Sequence, residues 1–349
     1  MLTHPEYNFD HSWLGMGQQG LASVIIPTFN RRLFLNEALE SILAQIYRPI
    51  EVIVVDDGSS DGTSALIEEW QQRHQGPEEI EIRYVWQTNR GAPVARNHGL
   101  VLSKGQYIQF LDADDVLMCH KLSDAIMAFN NDPDLDLVFA ARGDFSHSPH
   151  NMRPWDRKHA DLTRDPSPAE VVLTNVWTAL PLFTRELLSK AGPWDERLRS
   201  LQDWEYIGRV AFWAQRARSI DKIQALCRAH EGPRLSVNPW GEPTGVQDNA
   251  RASAALFPLV KACDSPRRAE ALVALARRSL SCLRVAIGAG HLWLAHEIIE
   301  NNQVLMAVQR KTRWESWLWR VLLLLPVDLL DVLFRPVRAV KRRHSHRQA

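Results

Sequence analysis

The stretch YIQFLDADD, residues 107–115, decides the fold class because it joins an apolar run to three closely spaced carboxylates. An apolar run without alternation is typical of a β-strand that is covered on both faces of its sheet. Carboxylates crowded at the end of a buried strand repel one another, which disfavours the cluster unless another charge compensates it. The stretch therefore predicts a buried strand with an acidic cluster at its carboxyl end, and this cluster is a candidate binding site.

Three similar strands precede this one, and helices alternate with them. The strands are ASVIIPTFN (22–30), EVIVVDDGSS (51–60) and IEIRYVWQTN (80–89). Apolar residues at helical spacing mark RRLFLNEALESILAQ (31–45), and GAPVARNHGLVLSKG (91–105) is a second helix with Gly105 as its expected stop. This alternation predicts an α/β fold with a parallel sheet covered on both faces.

Ligands of such sheets bind at the carboxyl ends of the strands. Asp56 and Asp57 follow one predicted strand. Asp112, Asp114 and Asp115 follow another. The sequence therefore predicts that both acidic groups lie at the same edge of the sheet, where the strands have their carboxyl ends.

Two motif matches lack the structural context that they need. GMGQQG (15–20) fits the dinucleotide fingerprint G-x-G-x-x-G, but it follows a polar tail and precedes a strand, whereas the fingerprint opens a helix. Residues 57–68 resemble a calcium-binding EF-hand loop, but a strand precedes them where a helix is required. Neither dinucleotide binding nor calcium sensing is predicted.

Composition and charge exclude several classes of protein. The chain has 349 residues, 45% of them hydrophobic, which is enough for one large or two medium domains with a core. Lys plus Arg (41) balances Asp plus Glu (41), so no global field recruits nucleic acid. Four widely separated cysteines without a C-x-x-C pair suit free thiols in a reducing compartment. No signal peptide or spanning segment is recognisable, so we expect a cytoplasmic protein.

Asp112 and Asp114 stand two residues apart, which in an extended segment places both carboxylates on one side. Such a pair suits a hard divalent cation, Mg²⁺ or Mn²⁺, with open positions for substrate phosphates. The alternative is a solvated acidic turn in which Asp115 caps a helix that starts near Val116. The pair lies at a strand end, at the same edge of the sheet as Asp57, and this position favours the metal site.

The strands and helices also resemble a known family, in wording and in order. SVIIPTFNRRLFLNEALESILAQIYRPIEVIVVDDGSSDGT (23–63), NRGAPVARNHGL (89–100) and YIQFLDADDVL (107–117) are similar to the nucleotide-binding half of the family 2 glycosyltransferases. The resemblance implies a GT-A fold, an α/β architecture with a Rossmann-like mixed sheet, here with a helical C-terminal extension. It also implies inverting transfer of a sugar from a nucleotide-diphospho-sugar, with UDP as the expected nucleotide.

The resemblance assigns residues to a pocket for the nucleotide base. Pro27, Thr28 and Phe29 would line this pocket, and Asp57 would accept a hydrogen bond from the imide of uracil. The alternatives are structural, since Pro27 can end a strand and Asp57 can cap the helix after GSSDGT. The matching spacing of all these residues favours the donor site.

The same resemblance implies a site for the diphosphate and a divalent cation. Arg96 would face the nucleotide or diphosphate, Asp112 would sit near the ribose and the metal, and Asp114 would bind the metal directly. His230, in CRAHEGPRLS (227–236), corresponds to a further metal ligand of some GT-A enzymes. The alternatives are a surface position for Arg96 and a structural role for His230.

GPWDERLRSLQDWEYIGRVAF (192–212) resembles the acceptor-side segment in which the family places an acidic pair before a helix. Here the pair is Gln202-Asp203, so Asp203 alone is the candidate catalytic base that takes the proton of the acceptor hydroxyl. The alternative makes Asp203 the N-cap of that helix. Trp194 and Trp204 either stack on a sugar or fill the core, and the core is the default expectation.

Five segments are predicted along the chain. They are a polar tail (1–20), a nucleotide-sugar-binding half (21–115), an acceptor-binding half (116–248), a helical extension (249–310) and a Trp-rich amphipathic helix with a basic tail (311–349). The last segment either lies in a membrane interface or docks on the catalytic domain. An interfacial segment would make the protein peripheral on the inner face of the membrane and would suit a lipid-linked acceptor.

The predicted function is sugar transfer to a carbohydrate or lipid-linked acceptor, in the synthesis of cell-surface polysaccharide or glycolipid and without a nucleic-acid partner. A nucleotidyltransferase on a related sheet is one alternative, but its Gly-rich basic turn is missing from PTFNRRLF (27–34). A non-catalytic module that binds nucleotide sugars is the other, because Gln202 replaces a carboxylate of the family pattern.

Overall fold

A computed structural model of the chain describes residues 15, 17–74, 80–145, 153–154, 162–174, 176–229 and 242–301. The chain divides into two compact units. The first unit comprises Met1–Glu196 with Tyr206–Gly232, and the second comprises Arg197–Glu205 with Pro233–Ala349. The segment boundaries expected from the sequence at residues 115 and 248 stay predictions.

The first unit begins with four strands that alternate with helices. In chain order the elements are β1 (Gln18–Thr28), α1 (Arg32–Leu43), β2 (Ile50–Asp56), α2 (Thr63–Arg73), β3 (Ile80–Trp86), α3 (Ala92–Leu102) and β4 (Gly105–Phe110). The strands stand in the order β3-β2-β1-β4, and all of them are parallel. Every residue of β2 is buried, as is β1 from Leu21 onward, which explains the continuous apolar runs in the sequence.

The remaining strands of the first unit make the sheet a mixed one. The elements are β5 (Val116–Leu117), α4 (Lys121–Asn131), β6 (Leu137–Phe145), β7 (Arg153–Pro154), α5 (Pro168–Thr174), β8 (Pro181–Thr184), α6 (Arg185–Ala191) and, after α7 (Gln202–Trp213), β9 (Ala217–Arg228). β8 pairs antiparallel with β4 and continues the sheet in the order β8-β6-β9-β5, while β7 pairs with β6. The mixed α/β sheet implied by the resemblance is confirmed.

The second unit is helical. It contains α8 (Pro243–Ala262), α9 (Arg268–Ala289) and α10 (Leu292–Asn301), and it also holds the first residues of α7. An apolar cluster packs these three helices together; its members are Val246, Ala250, Cys282, Leu283, Ala286, Leu294, Ala295 and Ile298. The expected helical C-terminal region is confirmed. None of the described helices combines the length and the apolar character needed to cross a membrane.

Gly105 allows close packing of two strands. A Cβ atom at Gly105 would lie 2.5 Å from Oγ of Ser23 and 2.7 Å from the carbonyl oxygen of Leu21. Its N–H donates to Oγ of Ser23 at 2.8 Å and to Oε1 of Glu51 at 3.0 Å. The prediction that Gly105 stops a helix was wrong, because α3 ends at Leu102 and glycine is needed where β4 approaches β1.

Lys121, the first residue of α4, is fully buried. Its ammonium Nζ donates to the carbonyl oxygen of Leu180 at 2.6 Å. That carbonyl also accepts a hydrogen bond from the N–H of Ala140 at 3.1 Å. Burial lowers the pKa of Lys121 to about 7, since an ammonium loses its hydration inside the protein.

Replacing this lysine with an apolar side chain is expected to stabilise the protein. The unfolded chain holds the lysine proton between pH 7 and pH 10 and the folded chain releases it, so the wild-type free energy of unfolding rises with pH in that window. Lys121→Met should flatten this rise and increase the free energy of unfolding at pH 7 by about 1 to 4 kcal/mol. Urea denaturation at several pH values checks this, with the exposed Lys190→Met as the control. A steeper rise in the variant contradicts the expectation.

Candidate functional site

The parallel register of the first unit brings the ends of three strands to one edge of the sheet. Thr28 at the end of β1 lies opposite Asp56 at the end of β2. Ile25 of β1 lies opposite Phe110, the last residue of β4. The loops that leave these strands carry both acidic groups of the sequence, so the groups share one edge as predicted.

The loops after β1 and β2 are joined by three hydrogen bonds. The N–H of Asn30 donates to Oγ of Ser59 at 2.9 Å, and the N–H of Ser60 donates to Oδ1 of Asn30 at 2.9 Å. The N–H of Arg32 donates to Oδ2 of Asp61 at 2.9 Å. Asn30 has a φ of +51°, a left-handed conformation that asparagine tolerates better than most residues. Sequence reasoning missed Asn30, whose signal was its place at the turn after a strand.

Asp57 is buried and fixes the loop between β3 and α3. Its Oδ1 accepts hydrogen bonds from Nε2 of Gln87 at 2.7 Å and from the N–H of Arg90 at 2.9 Å. Its Oδ2 accepts one from the N–H of Gly91 at 2.7 Å. The alternative that Asp57 caps α2 is therefore wrong. Oδ2 keeps one accepting position that a ligand N–H can use.

The three residues predicted to line a base pocket differ in exposure. Pro27 and Thr28 are buried at the end of β1, whereas the side chain of Phe29 is 47% exposed. Oγ1 of Thr28 is buried and has no hydrogen-bond partner within the described ranges. The exposed ring of Phe29 provides a surface on which a flat polar ring can stack.

Asp112 and Asp114 are partly exposed, and each lies near an arginine. Asp112, 31% exposed, accepts a hydrogen bond from Nη2 of Arg96 at 2.6 Å. Asp114, 26% exposed, has Oδ2 at 3.9 Å from Nε of Arg31. Two carboxylates and two guanidinium groups therefore meet at the end of β4, where they can bind both a cation and an anionic ligand.

Asp115 turns into the protein. Its Oδ1 accepts a hydrogen bond from the N–H of Arg228 at 3.1 Å. Burial raises the pKa of Asp115 well above its ordinary value, and the carboxylates of Asp112 and Asp114 raise it further. The prediction that Asp115 caps a helix near Val116 was wrong, because β5 follows it and α4 begins only at the fully buried lysine.

The donor set of Asp112 and Asp114 fits a hard divalent cation. Both offer carboxylate oxygens, which Mg²⁺ and Mn²⁺ prefer, and both reach solvent. Within the part of the chain that the structure describes, no group of three or more His, Cys, Asp or Glu side chains is arranged to hold a metal ion. Magnesium is commonly held by one or two carboxylates with substrate phosphates. The other predicted ligand, His230, lies outside the described residues.

Arg228, at the end of β9, holds the acidic loop, and sequence reasoning gave it no role. Its Nε donates to the carbonyl oxygen of Asp114 at 3.2 Å, and its Nη2 donates to Oε2 of Glu37 at 2.6 Å. Its guanidinium lies 4.7 Å from the ring centre of Phe34 and 4.3 Å from that of Phe145. This side chain is thereby fixed in place. The signal available in the sequence was an arginine at the end of an apolar strand.

Arg96 of α3 is buried, so the alternative of a surface position is wrong. Its guanidinium lies 4.5 Å from the ring centre of Trp194. The other face of Trp194 stacks on Tyr206, with ring centres 4.0 Å apart and planes 11° apart. Trp194 and Trp204 are both buried, which confirms the core expectation for both.

Asp203 lies in the second unit, within the first turn of α7. The helix begins at Gln202, so Asp203 is inside the helix and is not its N-cap. Its Oδ1 accepts a hydrogen bond from the N–H of Trp204 at 2.8 Å. Its role as a catalytic base stays a prediction.

Comparison with known proteins gives a family for residues 23–190, which match the model of glycosyl transferase family 2. An uncharacterized glycosyltransferase of Rickettsia prowazekii, RP339, is 30% identical over 189 residues, which cover 53% of this chain and 57% of that protein. The GalNAc(5)-diNAcBac-PP-undecaprenol beta-1,3-glucosyltransferase of Campylobacter jejuni is 36% identical over 110 residues, 31% of this chain and 34% of that protein. The matched region thus spans little more than half of the first relative and a third of the second.

Solved structures share the fold over most of the chain. S. aureus TarS 1-349 in complex with UDP has a TM-score of 0.66 and 19% identity, and the match covers 93% of this chain and 91% of that one. The mannosyltransferase PcManGT from Pyrobaculum calidifontis, in complex with GDP-Man and Mn²⁺, has a TM-score of 0.54 and 20% identity, with 91% and 83% covered. At such identities the likeness concerns the fold, which is that of the GT-A glycosyltransferases.

Asp57→Asn tests the role of this carboxylate in holding its loop. Both carboxylate oxygens of Asp57 accept hydrogen bonds, but a side-chain amide has only one oxygen and its NH₂ group cannot accept. At least one of the donors that Asp57 satisfies therefore loses its partner. The free energy of unfolding should fall by about 1 to 3 kcal/mol. Chemical denaturation measures it, with Asp134→Asn as a control because Asp134 is exposed and accepts from Gln215 alone among the described side chains. Equal stability of the two variants contradicts the role.

Proposed function

Because residues 23–190 match glycosyl transferase family 2, we propose that the protein is a metal-dependent enzyme that transfers a sugar from a UDP-sugar to an acceptor hydroxyl with inversion at the anomeric carbon. One observation carries the proposal. The partly exposed carboxylates of Asp112 and Asp114 stand beside Arg96 and Arg31 at the carboxyl edge of a parallel sheet. This edge is where α/β sheets bind ligands, and the mixture of charges suits a diphosphate with its cation.

The nucleotide would bind at the ends of β1 and β2. The exposed ring of Phe29 offers a stacking surface for the base, and Pro27 and Thr28 stay proposed residues of the same pocket. The free accepting position on Oδ2 of Asp57 suits the imide N–H of uracil. A cytosine ring lacks that N–H, so this contact favours UDP over CDP.

The diphosphate would bind beside the acidic loop. Arg96 and Arg31 bring positive charge to it, and Arg96 is held rigidly between Asp112 and the ring of Trp194. Asp112 and Asp114 would hold Mg²⁺ or Mn²⁺, with His230 as a further proposed ligand. The cation would supply positive charge against the diphosphate that departs.

Asp203 would serve as the general base. It accepts the proton of the acceptor hydroxyl while the hydroxyl oxygen forms a bond to the anomeric carbon from the face opposite the diphosphate. The bond between that carbon and the phosphate oxygen breaks, and UDP leaves with the electron pair. A single displacement of this kind inverts the anomeric configuration.

We also propose that the acceptor is a lipid-linked saccharide at a membrane surface, as in synthesis of cell-surface polysaccharide or glycolipid. The Campylobacter relative has PP-undecaprenol in its name. Residues 311–349 of this chain, which lie outside the described residues, carry four lysine and arginine residues in KRRHSHR (341–347) and tryptophans at 314, 317 and 319. Basic and aromatic side chains of this kind favour an anionic membrane interface.

Asp114→Asn is expected to remove the metal-dependent part of donor binding. UDP and Mn²⁺ together should raise the melting temperature of the wild-type protein, since a ligand at 100 times its Kd stabilises by about 2.7 kcal/mol. The variant should lose most of that increase, because it loses one of two carboxylate charges that favour the cation. Thermal unfolding with and without Mn²⁺ measures it, with Asp134→Asn as the charge-matched control. An unchanged Mn²⁺ effect in Asp114→Asn removes the residue from the metal site.

Asp203→Asn is expected to lower the rate of UDP release from a donor by about 100-fold or more, because the amide cannot accept the proton. The assay measures UDP released from UDP-glucose, UDP-GlcNAc or UDP-GalNAc with Mn²⁺, in the presence of an acceptor from a glycolipid panel. Equal release by variant and wild type removes Asp203 from the role of base. Release of pyrophosphate supports the nucleotidyltransferase, and binding without any release supports the non-catalytic module.

Deletion of residues 311–349 is expected to abolish flotation of the protein with anionic liposomes, because the deletion removes the basic and Trp-rich segment. Flotation of the full chain should weaken as salt is raised. Retained Mn²⁺-dependent UDP binding in the shortened chain serves as the folding control. Equal flotation of the two chains rules out this segment as the membrane contact.

A further inference from the structure

The segment that leads into α7 is fastened by one buried carboxylate. Oδ2 of Asp248, on α8, accepts hydrogen bonds from the N–H of Arg199 at 2.9 Å, from the N–H of Ser200 at 2.9 Å and from Oγ of Ser200 at 3.2 Å. The next residue, Leu201, has a φ of +56°, which an L-residue adopts only where its surroundings impose it. Asp203 follows two residues later, so Asp248 determines where the first turn of α7 begins.

A partly buried arginine of α9 stands beside the same turn. The guanidinium of Arg278 lies 4.2 Å from the ring centre of Trp204, the residue directly after Asp203. Its Nε donates to Oδ1 of Asn249 on α8. Burial lowers the pKa of Arg278, and the negative charge of Asp203 opposes that shift. The positive charge of Arg278 and the negative charge of Asp203 therefore attract each other.

Stability alone does not explain these two charged groups. The apolar cluster of the second unit already packs α8, α9 and α10 together. Buried charges lose hydration, and well-packed apolar side chains in their place are often neutral or stabilising. In this unit Asp248 accepts hydrogen bonds from the backbone of the short segment that carries Asp203, and Arg278 contacts the ring of Trp204 in that segment.

We infer that Asp248 and Arg278 are positioning residues for Asp203, so that the helices after residue 242 supply part of the catalytic machinery. The inference rests on the proposed function. Asp248 holds the backbone that leads to the base, and Arg278 holds the adjoining ring and places a positive charge near the carboxylate. The helical region is then required for catalysis.

A double-mutant cycle with Asp203 separates positioning from general structure. Arg278→Gln should lower kcat for UDP release by about tenfold or more, while the donor KM changes by less than about threefold. In the Asp203→Asn background the same change should have little further effect, because a residue that acts through the base has nothing left to position. Arg278→Lys should recover part of the loss. Arg267→Gln, which removes an exposed ion pair with Glu270 at the start of α9, is the matched control.

The second arm uses Asp248. Asp248→Ala leaves two backbone donors without their partner, so the amides of Arg199 and Ser200 should exchange with deuterium at least tenfold faster, and kcat should fall. Asp248→Asn keeps an accepting oxygen and should lie between the alanine variant and the wild type. The Arg267→Gln control should leave exchange at these amides unchanged. Thermal unfolding of each variant confirms that it is folded.

The outcomes distinguish this inference from the function on which it rests. If the wild type releases UDP and Arg278→Gln lowers kcat by the same factor in the Asp203→Asn background as in the wild type, the positioning role is overturned and the proposed function stands. Unchanged exchange at Arg199 and Ser200 in Asp248→Ala overturns the role of Asp248. Absence of release from the wild type with every donor overturns the proposed function and this inference with it.

Discussion

The balance of charge at the end of β4 is the constraint on which the candidate site depends. Three carboxylates within four residues repel one another, and each of them has a different environment in the structure. Arg96 pairs with Asp112, and Arg31 lies near Asp114. Asp115 is buried, where lost hydration disfavours its charged form. Because the arginines come from α3 and from the loop after β1, this balance links parts of the chain that are distant in sequence.

Hydrogen bonds join the loops at this edge of the sheet. Asp57 uses three hydrogen bonds to hold the loop before α3, and Asn30 ties the loops after β1 and β2 together. Arg228 is held between two aromatic rings while it bonds to the acidic loop. Loops that are already ordered lose little conformational entropy on binding, so more of the contact energy with a ligand appears as affinity. The polar residues of this edge therefore serve the fold and the site together.

The sequence predicted the first four strands of the first unit and the helices α1 and α3 because their periodicity is local. It also predicted that the acidic groups share one edge, since parallel strands end together. It did not predict that Asp115 turns inward or that Arg228 reaches back to it across 113 positions. A side-chain partner so distant leaves no local pattern. Gly105 was misjudged for a related reason, because its neighbours Ser23 and Glu51 are known only once β4 is paired.

The departure of Gln202-Asp203 from the acidic pair of the family has a physical explanation in the second unit. Nε2 of Gln202 donates to the carbonyl oxygen of Arg199 at 2.9 Å. An ionised glutamate cannot donate and would place its charge against that oxygen. Asp248 already accepts from the N–H groups of the same segment, so a donor is what remains to be supplied. Glutamine at this position thus adds a hydrogen bond to the segment that leads to Asp203.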